Sequence, residues 1–403
     1  VNSAEEASDA VLVTNIGELS TQDAEQRILQ NAALVMEGER ISWIGPADRA
    51  PAADTRVDAE GRAGLPGWVD SHTHLIFAGD RAAEFEARLA GESYAAGGIA
   101  VTVAATRDAS DEQLYQLAAA RVAEAVAQGT TYLETKTGYG LNVEQEARSA
   151  RIAARVADEV TYLGAHLIPE GVSAAEYTEL VCGPMLEAVR PWARWADIFI
   201  ERGAFDEEQA RQVLSACRDA GLGLRVHGNQ LGPGPGVRLA VEFGAASVDH
   251  VNDLSDADVE ALANSWDGAT GTVATCLPAC DLSTRQPLAP GRRLLDAGVS
   301  IALASNSNPG TSYTSSMPFC ITTAVLQMGL SVQEAVRAAT WGGALALRRH
   351  EGRDHDGERA VGSLAVGHRA DLQLLDAPSA AHLAYRPGMP ITWAVWRAGQ
   401  RMR

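Results

Sequence analysis

The sequence predicts an α/β protein: a closed (β/α)8 TIM-like barrel with a small β-sandwich domain made from both chain termini. Three observations predict it. Eight short apolar runs between residues 66 and 351 alternate with stretches rich in helix formers. Most of those runs end on polar residues, and five of the nine histidines sit at such ends. The two ends of the chain read differently, as β-branched runs broken by Gly and Asn.

Residues 1–65 carry VLVTN, AALVMEGERISWIGP and most of ADTRVDAEGRAGLPG, and residues 352–403 carry LAVGHRADLQLLDA and ITWAVWRAGQRMR. These short strands are expected to form one composite domain beside the barrel of residues 66–351. Within the barrel, GWVDSHTHL precedes the helical pattern AAEFEARLAG, and TYLETKTG precedes the helix formers from Val143 to Val160. TYLGAHLIP, ADIFIERG, LGLRVHGN, AASVDHVN, GTVATCLP and VSIALASN complete the eight runs. An open doubly wound sheet gathers its ligand groups at one switch point. Here polar endings recur on nearly every strand, which favours the closed barrel. No internal repeat is present, and LGPGPG does not follow a strand as a dinucleotide-binding GxGxxG must.

With 46% hydrophobic and 21% charged residues, the 403-residue chain is globular. Its 52 acidic and 33 basic residues give a net charge of -19, which argues against nucleic acid or an anionic membrane as partner. An anionic substrate would therefore have to be recognised by local arginines. The polar opening VNSAEEASDA does not read as a signal peptide, and no apolar run is long enough to span a bilayer, so a cytoplasmic location is expected. The five cysteines form no tight scaffold and fit reduced thiols. Cys276 and Cys280, in a CxxxC spacing, read as core or pocket residues.

At the mouth of a barrel, side chains from the C-terminal strand ends converge. His72 and His74 are two residues apart, so pleating points both imidazoles the same way. Neutral imidazole suits zinc, iron and nickel. Joined by His227, His250 and a polar last strand, the pair points to a mononuclear metal hydrolase. Packed core histidines, the plain alternative, explain poorly why these residues end successive strands. His166 and His250 can donate to a substrate carbonyl or carry a proton near neutral pH, or simply line the pocket. Asp70 can orient a ligand or make a turn contact. Lys136 and Tyr139 lie in ETKTGYG, a plausible pocket wall; Lys136 raises the question of a lysine bridging two metals, without a second carboxylate-rich cluster to support it. Arg81 can hold a carboxylate through paired hydrogen bonds, with Tyr94 adding a hydroxyl, or be a solvated helix-start charge.

In DSHTHLIFAGDRAAEF, GGI with TVAATRDAS, ETKTGYGLN, YLGAH, VHGNQ, VDH and SNPGTS, the chain resembles the imidazolonepropionase family of the amidohydrolase superfamily, over essentially its whole length. The resemblance implies opening of the lactam ring of 4-imidazolone-5-propanoate to N-formimino-L-glutamate, one divalent ion (zinc or iron), and a homodimer. It implies metal ligation by His72, His74, His227 and the residue at Asn306, and catalytic roles for His250, His166, Gln230 and Asn306. Substrate contacts would come from Arg81, Tyr94, Tyr139, Asn142, His166, Gln230, Asn308, Gly310 and Thr311. Two positions depart from the family pattern: Asn306 stands where a metal-bound aspartate is usual, and Gln230 where many members carry glutamate. An amide can offer its carbonyl oxygen but cannot serve as a base. Loss of that acceptor is expected to slow hydrolysis by roughly 10²–10⁴-fold unless His250 or His166 replaces it. Three readings follow: a hydrolase with a shifted proton route, a relative with altered-substrate or non-hydrolytic (cyclase, lyase or isomerase) chemistry, or a catalytically silent binding protein.

Overall fold

Eight parallel strands form the barrel: β1 (Trp68–Asp70), β2 (Thr130–Lys136), β3 (Glu159–Ala165), β4 (Trp195–Ile200), β5 (Gly223–Gly228), β6 (Ser247–His250), β7 (Val273–Cys276) and β8 (Ile301–Leu303). They pair in sequence order. The computed structural model describes residues 9–90, 98–268, 270–352 and 358–403. Just past the strand ends, Asn306 N donates to His72 O and His74 N donates to Ser307 O, both at 2.9 Å. These bonds bring the first and last strands together, so the segments carrying His72, His74 and Asn306 form the barrel's seam.

Nearly every residue of the eight strands is buried, as expected when helices cover the outside of a parallel sheet and side chains fill its inside. The outer helices start where the sequence offers caps. Ser110, Ser173, Asp206, Ser255 and Ser331 each close a capping box with the residue three positions on. The helix formers from Val143 to Val160 do not all become helix: the helix is Val143–Ala153, and β3 starts at Glu159. Ala154 to Ala157 turn back onto the helix end, and Asp158 is claimed by β2. Asp158 N donates to Leu133 O at 3.0 Å, and Leu133 N donates to Asp158 Oδ2 at 3.0 Å. Tertiary pairing there overrides local propensity.

Both termini build the small β domain, as a single mixed sheet of eight strands. The C-terminal Leu372–Leu375 pairs antiparallel with Gly64–Pro66, and that strand pairs with Ala10–Ser20. Val13, Ile16, Leu34, Leu372 and Trp396 share its apolar core. Arg369 and Arg397 fasten this sheet to the barrel through Asp158, at 3.2 and 2.8 Å. Among the described residues, no helix is long and apolar enough to cross a membrane.

Candidate metal centre

His72 and His74 lie just beyond β1, on the extended seam, and His227 is the penultimate residue of β5. All three are buried, and one ring nitrogen from each falls within 4.8 Å of the others. His72 Nε2 and His74 Nε2 are 3.2 Å apart. That is close to the separation of two nitrogens bound about 2.0–2.1 Å from one ion at a near-tetrahedral angle. Burial is the main cause that holds both imidazoles well below the usual histidine pKa, so they are neutral, as ligands must be.

Two carboxylates set the orientation of two of these rings. His72 Nδ1 faces Asp249 Oδ2 at 2.6 Å, and His227 Nδ1 faces Asp197 Oδ1 at 2.9 Å. Each carboxylate accepts the Nδ1 proton, which leaves Nε2 with its lone pair for a cation. Arg225 lies 3.0 Å from Asp249, and Lys136 lies 3.0 Å from Asp197. Burial alone would raise the pKa of both aspartates. Arg225 and His72 at Asp249, and His227 and Lys136 at Asp197, outweigh it and keep them ionised. Asn306 Oδ1 is buried and has no hydrogen-bond partner. Three buried imidazoles, with an unpartnered amide oxygen in the wall of the same cavity, fit one divalent cation.

A cavity of about 40 Å³ opens above this floor, walled by His74, Arg81, Tyr139, His166, His227, Gln230, His250, Asn306, Asn308 and Thr311, together with Ile99 and Phe199. Arg81 is not a solvated charge. Its guanidinium is buried and makes two 2.7 Å bonds to Glu84. A Cβ on Gly98 would fall 2.2 Å from its Nη2, and one on Gly310 2.3 Å from its Nη1, so two glycines form the slot that seats it. His166 Nδ1 lies 2.9 Å from Gly138 O, and a carbonyl can only accept. The Nδ1 therefore carries the proton. Burial lowers the His166 pKa to about 4, so the ring is neutral and its Nε2 presents a lone pair. His250 is also neutral, its pKa lowered by burial to about 3. The backbone at the mouth is strained: Asn229, His250, Val251 and Asn306 have φ of 57, 84, 52 and 50°.

The remaining candidates have different work. Asn308 Oδ1 accepts Gly310 N and Thr311 N, both at 2.8 Å, while its Nδ2 donates to Asn306 O at 2.6 Å, so its amide shapes the loop. Asn142 caps the helix Val143–Ala153 by accepting Gln145 N and does not line the cavity. Tyr94 lies outside the described residues. Asp70 takes Ser305 N and Ser305 Oγ, tying β1 to the segment after β8, and it accepts the backbone N–H of His72 rather than its ring. Lys136 faces Glu134 and Asp197, not a metal pair. Gln230 Nε2 donates to the Cys280 sulfur at 3.8 Å, so buried Cys280 backs the cavity wall at Gln230. Sequence reasoning missed Glu134, Asp197, Arg225 and Asp249. A signal existed: each is a charge inside an apolar strand, and Arg225 and Glu134 stand two residues from His227 and Lys136, on the same face.

The amidohydrolase family model matches residues 64–401. The chain is 77% identical to the imidazolonepropionase of Arthrobacter sp. (strain FB24), covering 98% of this chain and 100% of that one. It is 65% identical to that of Micrococcus luteus, covering 97% and 99%. Among solved structures, a triazine hydrolase variant superimposes with a TM-score of 0.75 at 18% identity, covering 98% of this chain and 94% of that one. An adenosine deaminase from Xanthomonas campestris with bound zinc gives 0.71 at 19% identity, covering 98% and 92%. Those two distant likenesses bear on the fold alone. The full-length identities do more, and with the histidine-floored cavity they place this metal-dependent hydrolase in the amidohydrolase family, among the imidazolonepropionases.

Proposed function

We propose that the chain opens the lactam ring of 4-imidazolone-5-propanoate, giving N-formimino-L-glutamate in histidine degradation. The observation that carries this reading is the pairing of a three-imidazole floor with a seated arginine on the wall of the same cavity. A zinc or iron ion held by His72, His74 and His227, with Asn306 Oδ1 beside it, would acidify a water and polarise the ring carbonyl. Arg81 pairs with the propanoate arm and fixes the ring over the floor, helped by Tyr139 and, outside the described residues, Tyr94. With its proton committed to Gly138 O, His166 accepts a ring N–H of the substrate at Nε2. Neutral His250 accepts the proton of the attacking water at a ring nitrogen and returns it to the leaving amide nitrogen. Asn306 and Gln230 orient through their amides and carry no proton. Ile99 and Phe199 limit the access of bulk water.

Purified protein reconstituted with zinc or iron is expected to consume imidazolonepropionate. Asn306→Asp, which restores a base at the seam, should raise kcat by at least about tenfold. Absence of ring opening with either residue at 306 overturns the reading. Hydrolysis that arises only in Asn306→Asp would instead favour the non-hydrolytic reading, to which the native amide is the pointer. The family resemblance also supports a homodimer in the cytoplasm, which sedimentation and cell fractionation would test.

A further inference from the structure

Lys136 stands where the two halves of the ligand set meet. Its ammonium is fully buried, 2.9 Å from Glu134 Oε1 and 3.0 Å from Asp197 Oδ2. Each carboxylate turns its other oxygen to a ligand segment. Glu134 Oε2 accepts the backbone N–H of Thr73, the residue between His72 and His74, at 3.1 Å. Thr73 Oγ1 donates to Glu134 O at 2.6 Å, and Lys136 N donates to Thr73 O at 2.9 Å. On the other side, Asp197 Oδ1 accepts His227 Nδ1 at 2.9 Å and His227 N at 3.1 Å. One cation thus joins the histidine pair of the seam to the histidine of β5. Arg225, another buried cation, forms its ion pair with Asp249, the partner of His72.

We propose that Lys136 is a positioning residue: acting through Glu134 and Asp197, it fixes the spacing between the His72/His74 pair and His227 and so sets how long the divalent cation stays bound. Without it, the two buried carboxylates would lose the cation that bridges them, and both limbs would shift apart. The inference rests on the three-histidine reading of the site, and its test separates the two.

Zinc-loaded protein is mixed with excess chelator, and release is followed with a chromophoric indicator. Lys136→Met, with unchanged circular dichroism, should release zinc at least about tenfold faster, the effect expected when a partner of a ligand is lost. In an Asp197→Asn background the same substitution should add less than about twofold, because its path to His227 is already cut. If Lys136→Met does not fold, Glu134→Gln and Asp197→Asn complete the cycle: each should speed release, and together less than additively. A parent protein that binds one zinc per chain, with release unchanged in folded Lys136→Met or with additive effects in the cycle, overturns the inference alone. A parent that binds no zinc overturns the site as well.

Discussion

Gly310 and Gly98 act at the scale of a single side chain, because only glycine leaves room for the Arg81 guanidinium. Gly310→Ala should displace Arg81 from its slot, since its new Cβ would overlap the arginine's end. The lost charged hydrogen bonds are worth about 1.5–3 kcal/mol, so KM should rise about tenfold to a hundredfold. The kcat should fall as well, but by less than KM rises, because Arg81 orients the ring through its arm while the histidine floor itself stays intact. Steady-state kinetics would check the split; an unchanged KM would show that Arg81 does not hold the substrate. Residues of this kind were unequally legible. Histidines are scarce and end strands, so His72, His74, His166, His227 and His250 were readable from the sequence. The roles of Asn142 and Asn308 were not, because an asparagine that caps a helix and one that touches a ligand look alike until its hydrogen bonds are known.

At the scale of elements, the loop between β2 and the next helix depends on one carboxylate. Glu146 is buried and accepts Gly138 N, Gly140 N and Leu141 N at 3.0, 2.7 and 2.8 Å. That loop carries Tyr139 and the carbonyl that fixes the His166 tautomer. Glu146→Gln puts an N–H group where an acceptor is needed. It should cost about 1–3 kcal/mol of stability, read by urea unfolding, and should raise KM more than it lowers kcat. The eight strands were legible because apolar runs bounded by turns repeat at regular intervals. The early end of the helix at Ala153 was not, since what stops it is a partner far away in sequence, Leu133. The buried charge chain was hidden for the same reason. Lys136 and Asp197 sit on β2 and β4, and only barrel closure brings them together.

Across the whole molecule, burial of acids bears on stability through pH. Burial raises the Asp281 pKa from its usual range to about 7, against hydrogen bonds from Asn252 and Ala289 that lower it. The folded state then keeps a proton that the unfolded state gives up above its pKa of 3.8. Stability from this group is full below that value and is lost as pH rises to about 7, after which it is level. Asp70, raised to about 6 mainly by burial, adds in the same direction. Asp281→Asn mimics the protonated acid. Its melting temperature, with metal saturating both proteins, should gain on the parent's between pH 5 and pH 8. A constant difference over that range would contradict a buried neutral Asp281.

Hydrolysis by this chain depends on a cation gripped by His72, His74 and His227. The most direct test is the rate of imidazolonepropionate ring opening by metal-stripped protein as zinc is added back. The rate should rise from background and level off at one ion per chain. A rate that survives stripping, or that stays at background at every loading, would contradict it.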